Sequence, residues 1–437
     1  MSRMFRIGMG VIGICWILSG QSVMAGVQED AFLASIHAAL QKNPRANGSA
    51  LQLKAAQERL PQSKALLYPN IDLNASRSHN RTEWSGGSAS TDPLSLGVVL
   101  TQSLYNQKAW VGLRQTKPYV ASFESDLQGV IQGVFMETAS AIVEVLQFKE
   151  VLGLAVNNRD RLAQHLDATR TRFKVGEITR TDVSQAQARL ATAEAMLVRA
   201  ENALAVGRSR FQELTGGPVP EGLILPEFKA GFMDAPLPEL QRAIQSRPDL
   251  MAAKLRSQVA EEEVAMKRAA HMPTVALTAR ATRSKGDEMY ADPVDRYVVD
   301  VGVSLPIFAG GMTVSQTSEA LARKEAQDAE VDRLTRLATR EVESAYLDLQ
   351  SARAADVALQ TALNAAKEAL EGVQKEYQVG TRTALDLLDA QNESFSAQTE
   401  LAKSRFAIVL AQFRLLHTLG RLSLDALILP SSAGNKK

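Results

Sequence analysis

The sequence predicts a mainly α-helical fold with a small membrane β-barrel, in which each chain gives four β-strands and long coiled-coil-like helices in two tandem repeats. Three observations carry this expectation. A single offset of 204 residues relates the two halves of the chain: Asn43-Pro44 to Arg247-Pro248, Tyr68-Pro69 to Met272-Pro273, Val175-Gly176 to Val379-Gly380, and Gly216 to Gly420. Self-similarity in one register is the mark of a repeated structural unit. Two stretches, near 107–173 and 311–378, carry a helix composition almost free of proline, which at 1.5 Å per residue means helices of roughly 100 Å. Four short segments alternate apolar and polar residues with a period of two.

The elements follow in order. Residues 1–25 read as a secretory signal peptide: Arg3 and Arg6 precede an apolar run from Ile7 to Leu18, and Val23-Met24-Ala25 offers a small-residue cleavage site. That run is too short to span a bilayer, which takes about 20 residues. Cys15, the single cysteine, lies inside the run behind Ile14, where a lipidation site would want a small residue. Removing Arg3 and Arg6 takes the formal net charge from +1 to −1. Export is the expectation, into a compartment where a cysteine-free mature chain forms no disulfides.

The first repeat is expected over residues 26–216: a helical segment near 30–65, a strand pair, then the long helices. Gly216-Gly217-Pro218-Val219-Pro220 opens a Pro/Gly-rich linker over 217–237. The second repeat follows over 238–420 and a short tail over 421–437. Helices this long need lateral partners, and Leu334, Leu337, Val342, Tyr346, Leu349 and Val357 recur at the spacing of a packing stripe. The strands are Asn70–Ser76, Leu94–Val98, Thr274–Arg280 and Val299–Leu305, with Tyr68, Trp84, Tyr105, Tyr290, Tyr297 and Phe308 near their ends. Apolar-out, polar-in segments flanked by aromatics suit outer-membrane strands, and a half-buried soluble sheet shows a similar alternation. Gly97 and Gly302 read as close-packed strand positions. Four strands cannot close a membrane barrel, which needs at least about 8, and lipid tolerates no open edge. Insertion therefore calls for an oligomer, and three chains give twelve strands.

Composition excludes other classes. Lys+Arg number 49 against 48 Asp+Glu, so the basic excess of a nucleic-acid binder is missing. The five histidines lie far apart with no helical ligand spacing. No nucleotide loop, Ser-His-Asp set or catalytic carboxylate pair stands out, so no enzyme and no cofactor are expected.

The repeat, the strand pairs, Gln102-Ser103-Leu104-Tyr105-Asn106, Pro306-Ile307-Phe308-Ala309-Gly310-Gly311 and above all the stretch Tyr377-Gln378-Val379-Gly380-Thr381-Arg382-Thr383-Ala384-Leu385-Asp386-Leu387-Leu388-Asp389-Ala390-Gln391 resemble the TolC family of outer-membrane efflux and secretion channels, in its non-lipidated branch. The resemblance implies a homotrimeric channel-tunnel set in outer-membrane lipid and crossing the periplasm. It also implies a periplasmic adaptor and an inner-membrane transporter, ABC or proton-driven, as partners. Type I protein secretion is the expected role, with small-molecule efflux as the alternative and a non-transporting periplasmic coiled-coil scaffold as the rival of another class.

The same resemblance assigns Thr181 and Asp182 on the first helix turn, and Tyr377 and Arg382 on the second, to the links that hold the tunnel closed. It assigns Asp386 and Asp389 to the acidic constriction. It makes Val175-Gly176 and Val379-Gly380, which most simply supply flexible turns, the adaptor-docking tips. Spacing alone puts Asp386 and Asp389 on one helix face, where it favours an exposed helix pair, and the resemblance turns the reading to a ring of carboxylates. Spacing also lets Arg382 pair with Asp386 in its own helix or across to Asp182.

Overall fold

A computed structural model describes residues 31–228, 235–286, 293–423 and 427–428. The signal-peptide segment, Tyr290 and most of the tail lie outside the described residues. The chain opens with α1 (Ala31–Lys42), α2 (Pro44–Gln57) and α3 (Arg59–Ala65). These divide the single expected helical segment because Pro44 starts a new helix at its first position, where a missing N–H costs nothing. The Asn43 side chain caps it by accepting from the Arg45 amide at 2.9 Å.

Strands β1 (Asn70–Arg77), β2 (Asn80–Trp84), β3 (Gly87–Thr91) and β4 (Leu94–Asn106) lead into α4 (Gln107–Lys174) and α5 (Arg180–Thr215). After β5 (Glu227–Phe228), the second half runs α6 (Leu237–Ala243), α7 (Pro248–Arg268), β6 (Thr274–Lys285), β7 (Val294–Ser304), α8 (Met312–Gln378), α9 (Ala384–Thr418) and β8 (Leu427–Ile428). The order helix, strands, very long helix, half-length helix thus occurs in both halves. Strand β5 pairs with β8, so part of the stretch expected as a linker is a strand.

Helix α4 has 68 residues and α8 has 67, about 100 Å each. Pro118 sits inside α4 near its start, where it gives up one backbone hydrogen bond without ending the helix. Each long helix packs on its half-length partner, α4 on α5 and α8 on α9, and α7 lies against both long helices in their other half. The packing is heptad-like. On α5 the small residues Ala186, Ala193, Ala200 and Gly207 are buried seven apart, and on α9 Leu388, Phe395 and Ala402 repeat the step. A seven-residue repeat keeps one seam facing its partner only if the helices supercoil left-handedly. Gly207 must be small, since a Cβ there would stand 3.0 Å from the Phe148 ring. On α8 the buried seam is Ala338, Val342, Ala345 and Leu349, whereas Val357, placed on the stripe by sequence, is 69% exposed. The main core gathers where the short helices meet α4, α8 and α9, around Phe32, Ile36, Ile142, Leu349, Phe413 and Leu416.

Strands β1, β4, β6 and β7 form one antiparallel sheet in that order, and β2–β3 is a separate hairpin beyond it. The four predicted strands are the four of this sheet, each longer than its sequence signal. Paired residues share a face, so the register sorts the sheet. Ile71↔Leu100, Leu73↔Val98, Leu100↔Ala279, Ala279↔Val299 and Leu277↔Val301 lie on one face. Asp72, Asn74, Thr101, Thr278, Thr282, Arg296 and Asp300 lie on the other. Leu73, Val299 and Val301 are nevertheless exposed, so the apolar face has no cover among the described residues. Tyr68, Tyr105 and Phe308 stand at the helix end of the sheet, and Tyr297 and Trp84 toward the hairpin end. Gly97 is close-packed as expected: a Cβ there would meet Ala281 O and Thr282 Oγ1 at 3.4 Å. Gly302, on the outer strand, has open space instead. No helix among the described residues is long and apolar enough to cross a membrane.

Candidate gate at the helix turns

The far ends of α4–α5 and α8–α9, remote from the sheet, carry every residue that sequence assigned to the closure. Both turns have one construction. The long helix ends at Val175 or Val379, and Gly176 (φ 78°) or Gly380 (φ 82°) takes the left-handed conformation that ends a helix without a Cβ penalty. Three residues on, a threonine caps the next helix. The two valines are about three-quarters exposed, at 75% and 76%.

The caps are reciprocal. Thr179 donates from its N–H and Oγ1 to Asp182 Oδ2, both at 2.8 Å, and the Asp182 amide donates back to Thr179 Oγ1. Thr383 and Asp386 repeat this at 3.0, 2.7 and 3.2 Å. These are capping boxes, which satisfy amides that the first helical turn leaves orphaned. The Asp386 carboxyl is held below the usual carboxylate range by the Thr383 hydroxyl and amide, with Arg382 adding a smaller pull. Asp182 and Asp386 therefore close their own helix starts. Thr181 is exposed on the first turn of α5.

The ion pairs differ from those expected. Arg382 reaches neither Asp386 nor Asp182: its Nε donates to Glu376 Oε2 at 2.7 Å. Glu376 lies two residues before the end of α8, and the turn curls the Arg382 side chain back to it, whereas Asp386 is already engaged by its cap. Asp386 and Asp389 also part company, since Asp389 Oδ1 accepts from Arg189 Nη2 on α5 at 2.6 Å. Tyr377 does make a cross-link. Its hydroxyl accepts from Arg172 Nη1 at 2.5 Å, and the guanidinium lies 5.2 Å from the ring centre. Arg172 also holds Glu177 in its own turn, which pulls that carboxyl below its ordinary value.

Sequence reasoning missed Arg172, Glu177, Glu376 and Arg189. A signal for the first existed: at the 204 offset Arg172 corresponds to Glu376 and its neighbour Phe173 to Tyr377. The first turn carries its basic residue on the helix and its acidic one in the loop, and the second turn reverses them. The structure also brings together a set unexpected from sequence. His79 Nδ1 lies 2.8 Å from Asp92 and its Nε2 lies 3.4 Å from Ser90 Oγ, beside the β2–β3 hairpin. All three residues are exposed, so the set has none of the water exclusion that hydrolytic sites rely on.

A helical tunnel wall with a sheet that is apolar on its outer face, and a tip laced by caps and ion pairs, defines the class of outer-membrane channel. The sequence profile of the family described as outer membrane efflux protein matches residues 35–217 and 240–421. The chain belongs to that family, and it is an outer-membrane protein of the TolC type that reaches into the periplasm. It is 28% identical to outer membrane efflux protein BepC of Brucella suis, over 94% of this chain and 89% of BepC. It is 28% identical to TolC of Vibrio cholerae, over 90% and 91%, and 24% identical to alkaline protease secretion protein AprF of Pseudomonas aeruginosa, over 89% and 85%. Among solved structures it resembles a membrane protein from Pseudomonas aeruginosa with a TM-score of 0.80 at 21% identity, covering 89% of this chain and 93% of that one. The channel CusC aligns with a TM-score of 0.79 at 19% identity, over 89% and 92%. The family and fold are those of non-enzymatic channels.

Proposed function

We propose that three copies of this chain form the exit duct of a tripartite transport system, joined in the periplasm by an adaptor and an inner-membrane transporter, and that its principal role is type I protein secretion. The observation that carries the duct is the sheet. Among the described residues its outer face is apolar and uncovered, and its two outer strands, β1 and β7, each leave one edge free. In lipid such edges must be paired. The four strands alternate in direction, so β7 of one copy meets β1 of the next antiparallel, and three copies close an even-numbered barrel. Polar residues such as Asp72, Thr278 and Asp300 then line the lumen, and the long helices continue the wall away from the membrane.

In this reading the turn residues close the far end. Arg172–Tyr377 joins the first helix pair to the second, Arg382–Glu376 stiffens the second turn, and the tips open when a partner draws the pairs apart. The exposed Val175 and Val379 beside Gly176 and Gly380 are the apolar contacts offered to the adaptor. Transport energy comes from the inner-membrane partner.

Protein secretion is supported by the likeness to AprF, and the likeness to BepC supports efflux as the second reading. Deleting the gene in its source bacterium and comparing secreted proteins with dye retention separates them. Loss of specific proteins from the medium with unchanged dye retention fits secretion, and the reverse outcome replaces it with efflux. Purified trimers in planar bilayers test the duct: a small conductance is expected, and membrane-confirmed trimers without a pore would leave the scaffold.

A further inference from the structure

The Arg189–Asp389 pair bears on ion selectivity, and its meaning rests on the duct reading above. Each chain brings two carboxylates to the start of α9, Asp386 and Asp389. Their surroundings differ. Asp386 is bonded by the hydroxyl and amide of Thr383, which are neutral donors, so its charge stays uncompensated apart from the more distant Arg382. Asp389 meets a full positive charge at 2.6 Å, delivered from α5 by Arg189. Arg189 is placed for this by the helix seam. Ala186 and Ala193, three before and four after it, are buried against the neighbouring helices, which brings α5 close enough for the guanidinium to cross to α9. Arg189 also borders a small cleft lined by Asn158, Leu162, Leu388 and Gln391.

We propose that Arg189 sets the charge of the constriction: it cancels Asp389, so that three copies present one uncompensated carboxylate per chain, from Asp386, in place of two. The duct is then only moderately cation-favouring, and its tip binds multivalent cations weakly. Arg189 acts through Asp389 and is a specificity-determining residue of the pore.

The test is a charge cycle read in planar bilayers on trimers of the full chain. Reversal potentials in a salt gradient and block by a trivalent cobalt hexammine ion are measured for four proteins. Arg189→Gln frees Asp389 and is expected to raise cation preference and to tighten trivalent block on the order of tenfold, since each freed carboxylate adds attraction to a triply charged ion. Asp389→Asn leaves Arg189 unmatched and is expected to shift both readings the opposite way. The double variant restores the local charge balance and is expected to return both to the wild-type values. A merely structural tie between α5 and α9 would move both single variants in the same direction, and the double variant with them, which overturns the proposal. Unchanged selectivity in an otherwise normal pore overturns it too. Absence of any pore in wild-type trimers overturns the duct reading instead.

Discussion

Arg172 and Tyr377 stand 205 residues apart in the chain and meet at the tip, where the guanidinium donates to the phenol oxygen at 2.5 Å and lies 5.2 Å from the ring centre. The same arginine holds Glu177 in its own turn. One side chain therefore fastens the end of α4 both to its own loop and to the end of α8. Tyr377→Phe removes only the hydroxyl and leaves the ring contact, worth about 0.5–1 kcal/mol at an exposed site. Arg172→Ala removes all three contacts. If these contacts hold the tunnel shut, single-channel conductance rises in both variants, more in Arg172→Ala than in Tyr377→Phe. The opposite order would mean that the tyrosine closes the tip through another partner.

Acid is expected to loosen the tip, and the sign follows from the two depressed carboxyls. Asp386, held by Thr383, and Glu177, held by Arg172, both ionise below the usual range. Their stabilising effect is complete above the unfolded carboxyl value of about 4. It declines as pH falls from there through the lower folded values. The tip therefore stays closed at pH 5 and loosens below about pH 4. Hydrogen exchange of the α8–α9 turn, corrected for intrinsic rate, reads this directly. In Thr383→Ala the Asp386 carboxyl returns toward its ordinary value and the helix start loses about 1 kcal/mol, so exchange there is faster at neutral pH and depends less on acid.

Much of the fold was legible because it is written in periodicity. The two-residue alternation from Asn70 to Ser76 and from Thr274 to Arg280 follows from pleating, and the long stretches from Gln107 and Met312 follow from the scarcity of helix breakers. The boundaries were less legible. Strand β4 runs to Asn106 through a bulge between Ser103 and Tyr105, and alternation ends where a bulge begins. At the tip, the sequence places the candidate residues on the two turns but does not show their partners. Asp182 and Asp386 carry the threonine-to-aspartate spacing of a capping box, which is local and was present in the sequence. Arg189–Asp389 and Arg172–Tyr377 span about 200 residues, and only the packing of the helix pairs brings them together. Val357 has the spacing of a seam residue, yet it is exposed among the described residues.

Phe413 anchors the region where the short helices cross the long ones. It is fully buried, stacks on Phe32 at 6.0 Å and meets Phe228 edge-on at 4.8 Å. Phe413→Ala is expected to cost about 3–5 kcal/mol, as large-to-small changes in a closed core do. Because α1, β5 and α9 all lose a contact, thermal unfolding followed by circular dichroism should shift to lower temperature. The tip, tens of residues away along α9, should keep its exchange pattern. A change confined to the tip would mean that Phe413 is not the anchor.

Thr278 and Ala279 are neighbours on β6 with opposite faces. Thr278 pairs with Thr101 and Asp300 on the polar face, and Ala279 pairs with Leu100 and Val299 on the apolar one. An arginine at each position is the same chemical change one residue apart. Ala279→Arg puts a charge against lipid near the middle of the strand, where a basic residue costs about 2–4 kcal/mol. Thr278→Arg puts it in the lumen opposite Asp300, an opposite-charge cross-strand pair that favours the sheet. The outer-membrane yield of trimers should therefore fall in Ala279→Arg and hold in Thr278→Arg, measured by fractionation and by resistance of the barrel to unfolding in detergent. Equal loss in both would mean that the sheet packs against protein on each face, and equal tolerance would mean that neither face meets lipid. Only the split outcome agrees with a strand whose alternate residues face lipid and water.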